Sequence, residues 1–194
     1  MGRNRFKDIL RYLRFVMKNN RLERLKTDKF PLLSETWNKF IKNCLFCYKP
    51  GQDVIIDKQL FPSKVRCNFT QFMANKPDKF GIKFWILPNV KSKYMYNAFL
   101  YVGKDELRLE GESLPENVVI RLMEPCLRTG RNVATDNFFT SLKLAERLKA
   151  KQTSIVGTTI RTRKEIPAVV CNSKGSLHYS KILKSESGTT LMVY

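Results

Sequence analysis

The spacing of apolar residues divides the chain into two parts. Up to Pro50, apolar residues recur at helical intervals in two groups, Phe6, Ile9, Leu10, Leu13, Val16 and Met17, and then Trp37, Phe40, Ile41, Cys44 and Leu45. This spacing predicts two amphipathic helices. Pro31 precedes the second helix and Ser34 is its expected N-cap. The residues at 49–51 predict a turn that ends this part.

After that turn, short runs rich in β-branched and aromatic residues predict strands. The predicted strands are Val54–Ile56, Gly81–Leu87, Tyr96–Val102, Val133–Thr135 and Ser154–Ile160, with short strands also expected at 177–183 and 189–194. Pro88 opens the link that makes the second and third strands a hairpin. Helices are expected at 115–128, with Pro125 ending or kinking the first of them, and at 141–151.

The order of these elements predicts a mixed α/β fold. Strands and helices alternate only after the turn at 49–51, whereas the preceding part is helical. We therefore expect a helical N-terminal segment at 1–50 and an α/β core at 51–194.

The chain is strongly basic. Its 36 Lys and Arg residues against 17 Asp and Glu residues give a net charge of +19. This balance favours a polyanionic partner, DNA or RNA. An anionic membrane surface would also attract such a chain, but no apolar run approaches the roughly 20 residues that cross a bilayer. No signal peptide follows the basic start, so five cysteines favour reduced thiols.

Two aspartates follow predicted strands. Asp136 comes directly after Val133–Thr135 and precedes a helix start at Thr140 and Ser141, and Asp57 ends the run Val54–Ile56. Carboxylate oxygens are the ligands that hard divalent cations prefer. A metal pair about 3.5–4 Å apart can activate a nucleophile and relieve charge on the leaving oxygen of a phosphodiester. In so basic a chain, the two aspartates predict metal-dependent chemistry on nucleic acid. The alternative is that both cap turns.

The cysteines are weaker candidates for a site. Cys44 and Cys47 have the spacing of a zinc-ligand pair, but no second pair follows at a useful distance and both fall on a predicted helix. His178 is the one histidine and lies far away in sequence, so nothing supports a catalytic Cys–His pair.

Several blocks of sequence follow one another in a recognisable order: Asp57–Phe61, Arg66–Phe69, Asn75–Trp85, Tyr101–Lys104, Thr135–Ser141 and Val156–Pro167. In content and order they resemble the catalytic core of the piggyBac family of transposases and their domesticated derivatives. The resemblance runs from Arg24 to the last residue.

The resemblance implies a ribonuclease H-like mixed sheet with flanking helices. In such a core three aspartates hold a divalent metal, Mg²⁺, and direct cleavage and transfer of double-stranded DNA. Asp57 matches the first aspartate and Asp136 the second. The third is expected beyond Tyr194, together with a cysteine-rich zinc domain, so the chain resembles a C-terminally truncated core. A nuclear location and a homodimer are also implied.

The sequence departs from the family pattern at one position beside the first aspartate. The residue there is usually acidic, and in this chain it is Lys58, whose charge opposes cation binding. Three hypotheses follow: a DNA-cleaving transposase core that needs a third carboxylate, a catalytically inactive DNA-binding module, and a fragment that does not fold stably. The carboxylates available within the chain, none at the family position, are Glu106, Glu110, Glu124 and Glu165.

Basic residues near the matching blocks are expected to contact DNA: Lys64, Arg66, Lys76, Lys79, Lys83, Arg161, Arg163 and Lys164. Such residues grip phosphates without reading sequence. The alternative is a solvated charged face. The aromatics around them are expected mainly in the core, with Phe138 or Phe139 as the one that lines the site.

Overall fold

The computed structural model describes residues 1–63, 67–74, 76–103, 111–171, 180–186 and 188–193. The helices are α1 (Arg3–Tyr12), α2 (Lys18–Thr27), α3 (Ser34–Cys47), α4 (Leu114–Met123), α5 (Leu142–Lys149) and α6 (Ala168–Cys171). The strands are β1 (Asp53–Pro62), β2 (Thr70–Phe72), β3 (Phe80–Pro88), β4 (Met95–Leu100), β5 (Asn132–Thr135), β6 (Ser154–Gly157), β7 (Lys181–Lys184) and β8 (Thr190–Val193).

A mixed sheet organises the chain. Its main path runs β2-β3-β1-β5-β6, and β4 also pairs with β3. β1 is antiparallel to β3 and parallel to β5, and β5 is parallel to β6. The predicted hairpin of β3 and β4 is present. The mixed α/β class with flanking helices is therefore confirmed.

The core lies between this sheet and two helices. α4 packs on β3 and β4, and α5 packs on β6. The fully buried side chains at the centre are Trp85, Phe139, Ile56, Leu87, Leu122, Met123, Leu144, Leu148, Val54, Val118, Val119 and Val133. Burying each large side chain contributes about 1.5–3 kcal/mol. α4 ends at Met123 because Pro125 follows in a short 3₁₀ turn, as predicted.

β1 corrects one expectation. Asp57 was expected to end a strand, but β1 continues through it to Pro62. The strand stays extended through the polar residues Asp57, Lys58 and Gln59 because β3 supplies a pairing partner, with Asp57 opposite Ile86 and Pro62 opposite Gly81. Tertiary pairing outweighs the weak intrinsic strand preference of Asp and Lys.

The N-terminal helices also differ from expectation. The single helix expected over 6–17 stops at Tyr12, since Leu13 leaves the helical conformation with φ −61 and ψ 126. α2 then begins at Lys18. Ser34 is the first residue of α3 and not its cap, because Leu33 occupies the cap position without a side-chain hydrogen bond.

Smaller differences occur near the later strands. In α5 Leu144 is buried where Leu142 was expected to be, and β6 ends at Gly157, before the expected Ile160. β2 was not expected at all. β7 and β8 form an antiparallel hairpin, whereas 172–179, and with it His178, lies outside the described residues. Among the helices that the structure describes, none has the length and apolar character needed to cross a bilayer.

Candidate functional site

The register of two parallel strands places Asp57 and Asp136 next to each other. β1 and β5 pair up to Ile56 opposite Thr135; Asp57 is the next residue of β1, and Asp136 is the residue directly after β5. Neighbouring strands lie about 4.8 Å apart, so the two aspartate backbones are adjacent. Asp57 is exposed and the side chain of Asp136 is 38% exposed. The structure therefore brings the predicted pair together at one edge of the parallel strands.

The turn after β5 is built on Asp136. Its carbonyl oxygen accepts hydrogen bonds from the backbone N–H of Phe139 and Thr140, both at 3.2 Å, and from the Thr140 hydroxyl at 2.8 Å. Its carboxylate Oδ1 accepts from the N–H of Phe138 at 3.0 Å. This local pattern is typical of an aspartate that starts a turn. Ser141 then caps α5 by accepting from Leu144 N–H.

Lys58 forms an ion pair with Asp136. Its Nζ lies 3.0 Å from Asp136 Oδ2, and the two side chains are 25% and 38% exposed. The N–H of Lys58 also donates to Asp57 Oδ1 at 2.7 Å. One lysine thus contacts both aspartates, through its backbone and through its ammonium. The sequence indicated that the charge of Lys58 opposes cation binding, but it did not indicate that Lys58 contacts Asp136.

Lys83 lies beside this pair on a platform of aromatic rings. Its Nζ is 3.9 Å from the centroid of Trp85, 4.8 Å from that of Tyr101 and 5.7 Å from that of Phe138. Lys58 approaches the same Phe138 ring at 4.9 Å. Burial, and then the charge of Lys58, lowers the pKa of Lys83 to about 8. Two ammonium groups therefore share one small aromatic surface.

A cleft of about 380 Å³ opens on the other side of the turn. Its lining includes Ser141, Lys143, Arg163, Lys164 and Glu165. Arg163 donates to the carbonyl oxygen of Asn137 at 2.7 Å, so it contacts the residue next to Asp136. Glu165 accepts from the N–H of Leu142 at the start of α5. Arg163, from the basic run at 161–164, thus reaches the aspartate turn.

The other expected DNA contacts are spread out. Lys76 and Lys79 flank the start of β3, near Gly81, which lies five positions along the register from the Asp57 pair, or about 17 Å. Arg161 donates to the carbonyl oxygen of Val170. Lys64 and Arg66 lie outside the described residues. The aromatic expectation holds for Phe69, Phe84, Trp85 and Phe139, which are buried, whereas Phe72 and Phe80 are more than half exposed.

Comparison with known proteins decides the family. A family model described as Transposase IS4 matches residues 1–194. The chain belongs to this transposase family. A solved structure, a cryo-EM structure of a piggyBac transposase synaptic complex with hairpin DNA, matches with a TM-score of 0.86 and 32% identity. The match covers 99% of this chain and 43% of that one, so the chain spans less than half of the neighbour's length. The resemblance to piggyBac transposases is confirmed.

Membership of this transposase family implies a divalent metal. Among the described residues no group of three or more His, Cys, Asp or Glu side chains is placed to hold a metal ion. Asp136 Oδ2 already pairs with the Lys58 ammonium and Oδ1 with a backbone N–H. The carboxylate chemistry suits Mg²⁺, but this pair with its lysine does not by itself fit the ion.

Two features of the candidate site were not expected from the sequence. They are the place of Tyr101 in the aromatic platform and the ion pair that Lys58 forms with Asp136. The alternation of side chains along a strand carried a signal for Lys58, since it shares a face with Val54 and Ile56. That signal was hidden because β1 was expected to stop before Lys58.

Proposed function

We propose that the chain binds double-stranded DNA as the core of a transposase. The observation that carries the proposal is the aspartate edge of β1 and β5 with lysines beside it, in a chain of net charge +19. The structural neighbour was solved with hairpin DNA, which supports the same class of partner. On this proposal Arg163, Lys164 and Lys83 hold the phosphate backbone around the aspartate edge.

Duplex binding is tested by its salt dependence. The logarithm of the binding constant falls linearly with the logarithm of salt concentration, by about 0.9 for each phosphate contact. We expect a steep slope with little preference for sequence, because contacts of this type position DNA without reading bases. Absence of binding at low salt would overturn the proposal. Thermal unfolding of the same sample separates that outcome from a chain that does not fold.

A second candidate function is cleavage and transfer of DNA strands. The side-by-side placement of Asp57 and Asp136 favours it, since it matches the first two of the carboxylates that the resemblance implies. On this candidate Asp57 and Asp136 are catalytic, a third carboxylate comes from outside the described residues, and Lys58 has to leave Asp136 before Mg²⁺ is held. The opposing hypothesis, a binding module without catalysis, rests on the Lys58–Asp136 ion pair.

Nicking of labelled duplex DNA distinguishes these two. The native chain is compared with Asp136→Asn in Mg²⁺ or Mn²⁺, and Asp78→Asn, an exposed loop aspartate, is the matched control. Nicking lost only in Asp136→Asn establishes the cleavage centre. No nicking, with salt-sensitive binding retained, leaves the binding module.

Three further properties are proposed together with this function. We propose a nuclear location, a homodimer, and a boundary at residue 51 between a helical segment and the ribonuclease H-like core. Imaging of a fluorescent fusion, light scattering of the purified chain and limited proteolysis test them in turn. Uniform cytoplasmic fluorescence, a monomeric mass or cleavage first within the sheet would each refute one of them.

A further inference from the structure

Lys83 is a partly buried cation whose charge is not balanced by an acid in the part of the chain that the structure describes. Among the described residues no carboxylate pairs with it, and the contacts around its Nζ are aromatic rings and, through charge, Lys58. Cation–π contacts contribute about 0.5–2 kcal/mol. They offset part of the cost of removing an ammonium from water, but they do not neutralise it.

The neighbouring cation makes this imbalance larger. Lys58 is paired with Asp136, yet its charge still disfavours the protonated form of Lys83. Among the described residues, Lys58 is the ammonium of the two that pairs directly with a carboxylate, so the charge of Lys83 is left without a paired acid. An anion that reaches both ammoniums would relieve their repulsion and gain charge-assisted hydrogen bonds.

The position of the lysines indicates which anion fits. Phe138 joins them, since both ammoniums lie over its ring, and Phe138 follows Asp136 by two residues. An anion held by these two ammoniums therefore lies next to Asp136. Arg163, bonded to the Asn137 carbonyl, borders the same turn. A chain of phosphates spaced along a backbone matches this series of cations better than a single free ion does.

We propose that Lys83 and Lys58 form a phosphate site beside Asp136 that holds one backbone phosphate of DNA without a divalent cation. The inference rests on the proposed binding of double-stranded DNA. The Lys58 ammonium neutralises Asp136, and the charge of Lys83 attracts the phosphate. The rings of Trp85, Tyr101 and Phe138 hold the Lys83 ammonium in position. The ends of β1 and β5 that carry Asp57 and Asp136 then lie against DNA with the charge of Asp136 neutralised by Lys58.

The experiment measures duplex binding in the presence of EDTA over a series of salt concentrations. Lys83→Met removes the charge and keeps an unbranched apolar chain over the rings, and Lys83→Arg restores a cation. Lys91→Met, at an exposed turn position, is the matched control for the loss of one charge. Thermal unfolding of each variant shows that the comparison is between folded proteins.

The expected result is specific to the site. Lys83→Met makes the salt slope shallower by about 0.9, the value for one phosphate contact, while Lys83→Arg and Lys91→Met keep the native slope. Equal slopes for Lys83→Met and Lys91→Met would overturn the site and leave DNA binding intact. If the native chain did not bind duplex DNA in EDTA, the proposal that the phosphate site works without a metal would be overturned. No binding under any condition would refute the proposed function itself.

Discussion

Two clusters of charge in this molecule differ in how completely their cations are paired with carboxylates. Between α4 and α5, Arg147 lies 2.7 Å from Glu112 and 3.4 Å from Glu116, and Lys143 lies 3.6 Å from Glu116. We call these four residues the α4–α5 cluster. Lys58, Lys83 and Asp136 form the Asp136 cluster, with two cations and one carboxylate.

The comparison distinguishes charged groups that stabilise the fold, in the α4–α5 cluster, from a charged group that is available to a ligand, in the Asp136 cluster. In the α4–α5 cluster both carboxylates are at most 8% exposed, and each has a cation within 3.4 Å. In the Asp136 cluster, Lys83 has rings and no acid among the described residues. Both clusters join elements distant in sequence, but among the described residues each cation of the first pairs with a carboxylate, whereas Lys83 of the second does not.

Breaking the α4–α5 cluster should have the largest effect. Arg147→Met leaves two buried carboxylates with less compensation, which costs about 3 kcal/mol. Denaturant unfolding measures the change. Lys39→Met is the control, since its pair with Glu35 is exposed at 74% and 58%, and such pairs contribute about 0–1 kcal/mol. Equal losses in both variants would contradict the assigned structural role.

Changing the support of the Asp136 cluster without touching its charges comes next. A Cβ at Gly157 would lie 2.3 Å from Thr140 Oγ1 and 2.7 Å from the Thr135 carbonyl oxygen, so β6 or the turn has to shift. Gly157→Ala should cost about 1–3 kcal/mol. Gly2→Ala, which meets no atom within 4 Å, is the control. An unchanged unfolding midpoint for Gly157→Ala would show that the packing at this turn is loose.

Reversing the charge at Lys58 should change binding more than stability. The ion pair is partly exposed, so Lys58→Glu is expected to cost about 1 kcal/mol or less. It frees Asp136 Oδ2 and adds a carboxylate, so calorimetry should detect tighter Mn²⁺ binding than in the native chain. Lys58→Gln, which frees Asp136 without adding an acid, should bind Mn²⁺ more weakly than Lys58→Glu. Mn²⁺ binding in Lys58→Glu no tighter than in the native chain would show that Lys58 does not limit the site.

The smallest expected effect is on pH dependence. Burial and the charge of Lys58 lower the pKa of Lys83 from its ordinary 10.5 to about 8. Between these values the unfolded chain binds more protons, so the free energy of unfolding rises with pH. DNA affinity should fall over the same range as Lys83 loses its charge. Among the described residues, the titratable groups facing Lys83 are Lys58 from β1 and Tyr101 after β4.

The native chain and Lys83→Met are compared over this pH range, both in unfolding and in DNA binding. The difference between the two proteins in the free energy of unfolding and their difference in DNA affinity should both vary with pH. As pH rises, the native chain should gain stability and lose DNA affinity relative to Lys83→Met. A difference that stays constant would show that Lys83 does not titrate there.

Much of the fold could be predicted because local pattern and tertiary structure agree. The hairpin of β3 and β4, the end of α4 before Pro125 and the cap of α5 at Ser141 all follow from residues within a few positions. β1 could not be bounded in this way. It continues past its apolar start through Asp57, Lys58 and Gln59, which stay extended because β3 pairs with them.

The candidate site was predicted in part. Asp57 and Asp136 were predicted as candidates from strand ends and resemblance, and the parallel register brings them together. The pairing of Lys58 with Asp136 joins residues far apart in the chain, so no local pattern indicates it. The aromatic platform under Lys83 likewise needs Tyr101, Trp85 and Phe138 from three separate segments.

The change of partner along β1 has a consequence for motion. At Asp57 the strand still pairs with Ile86 of β3, whereas β5 ends one residue before Asp136. Backbone held in a ladder opens less readily than backbone in a turn. Amide hydrogens of β1 around Asp57 should therefore exchange with solvent more slowly than those at 136–140. Any adjustment of the distance between the two carboxylates then comes from the Asp136 side, with Asp57 as the fixed reference point.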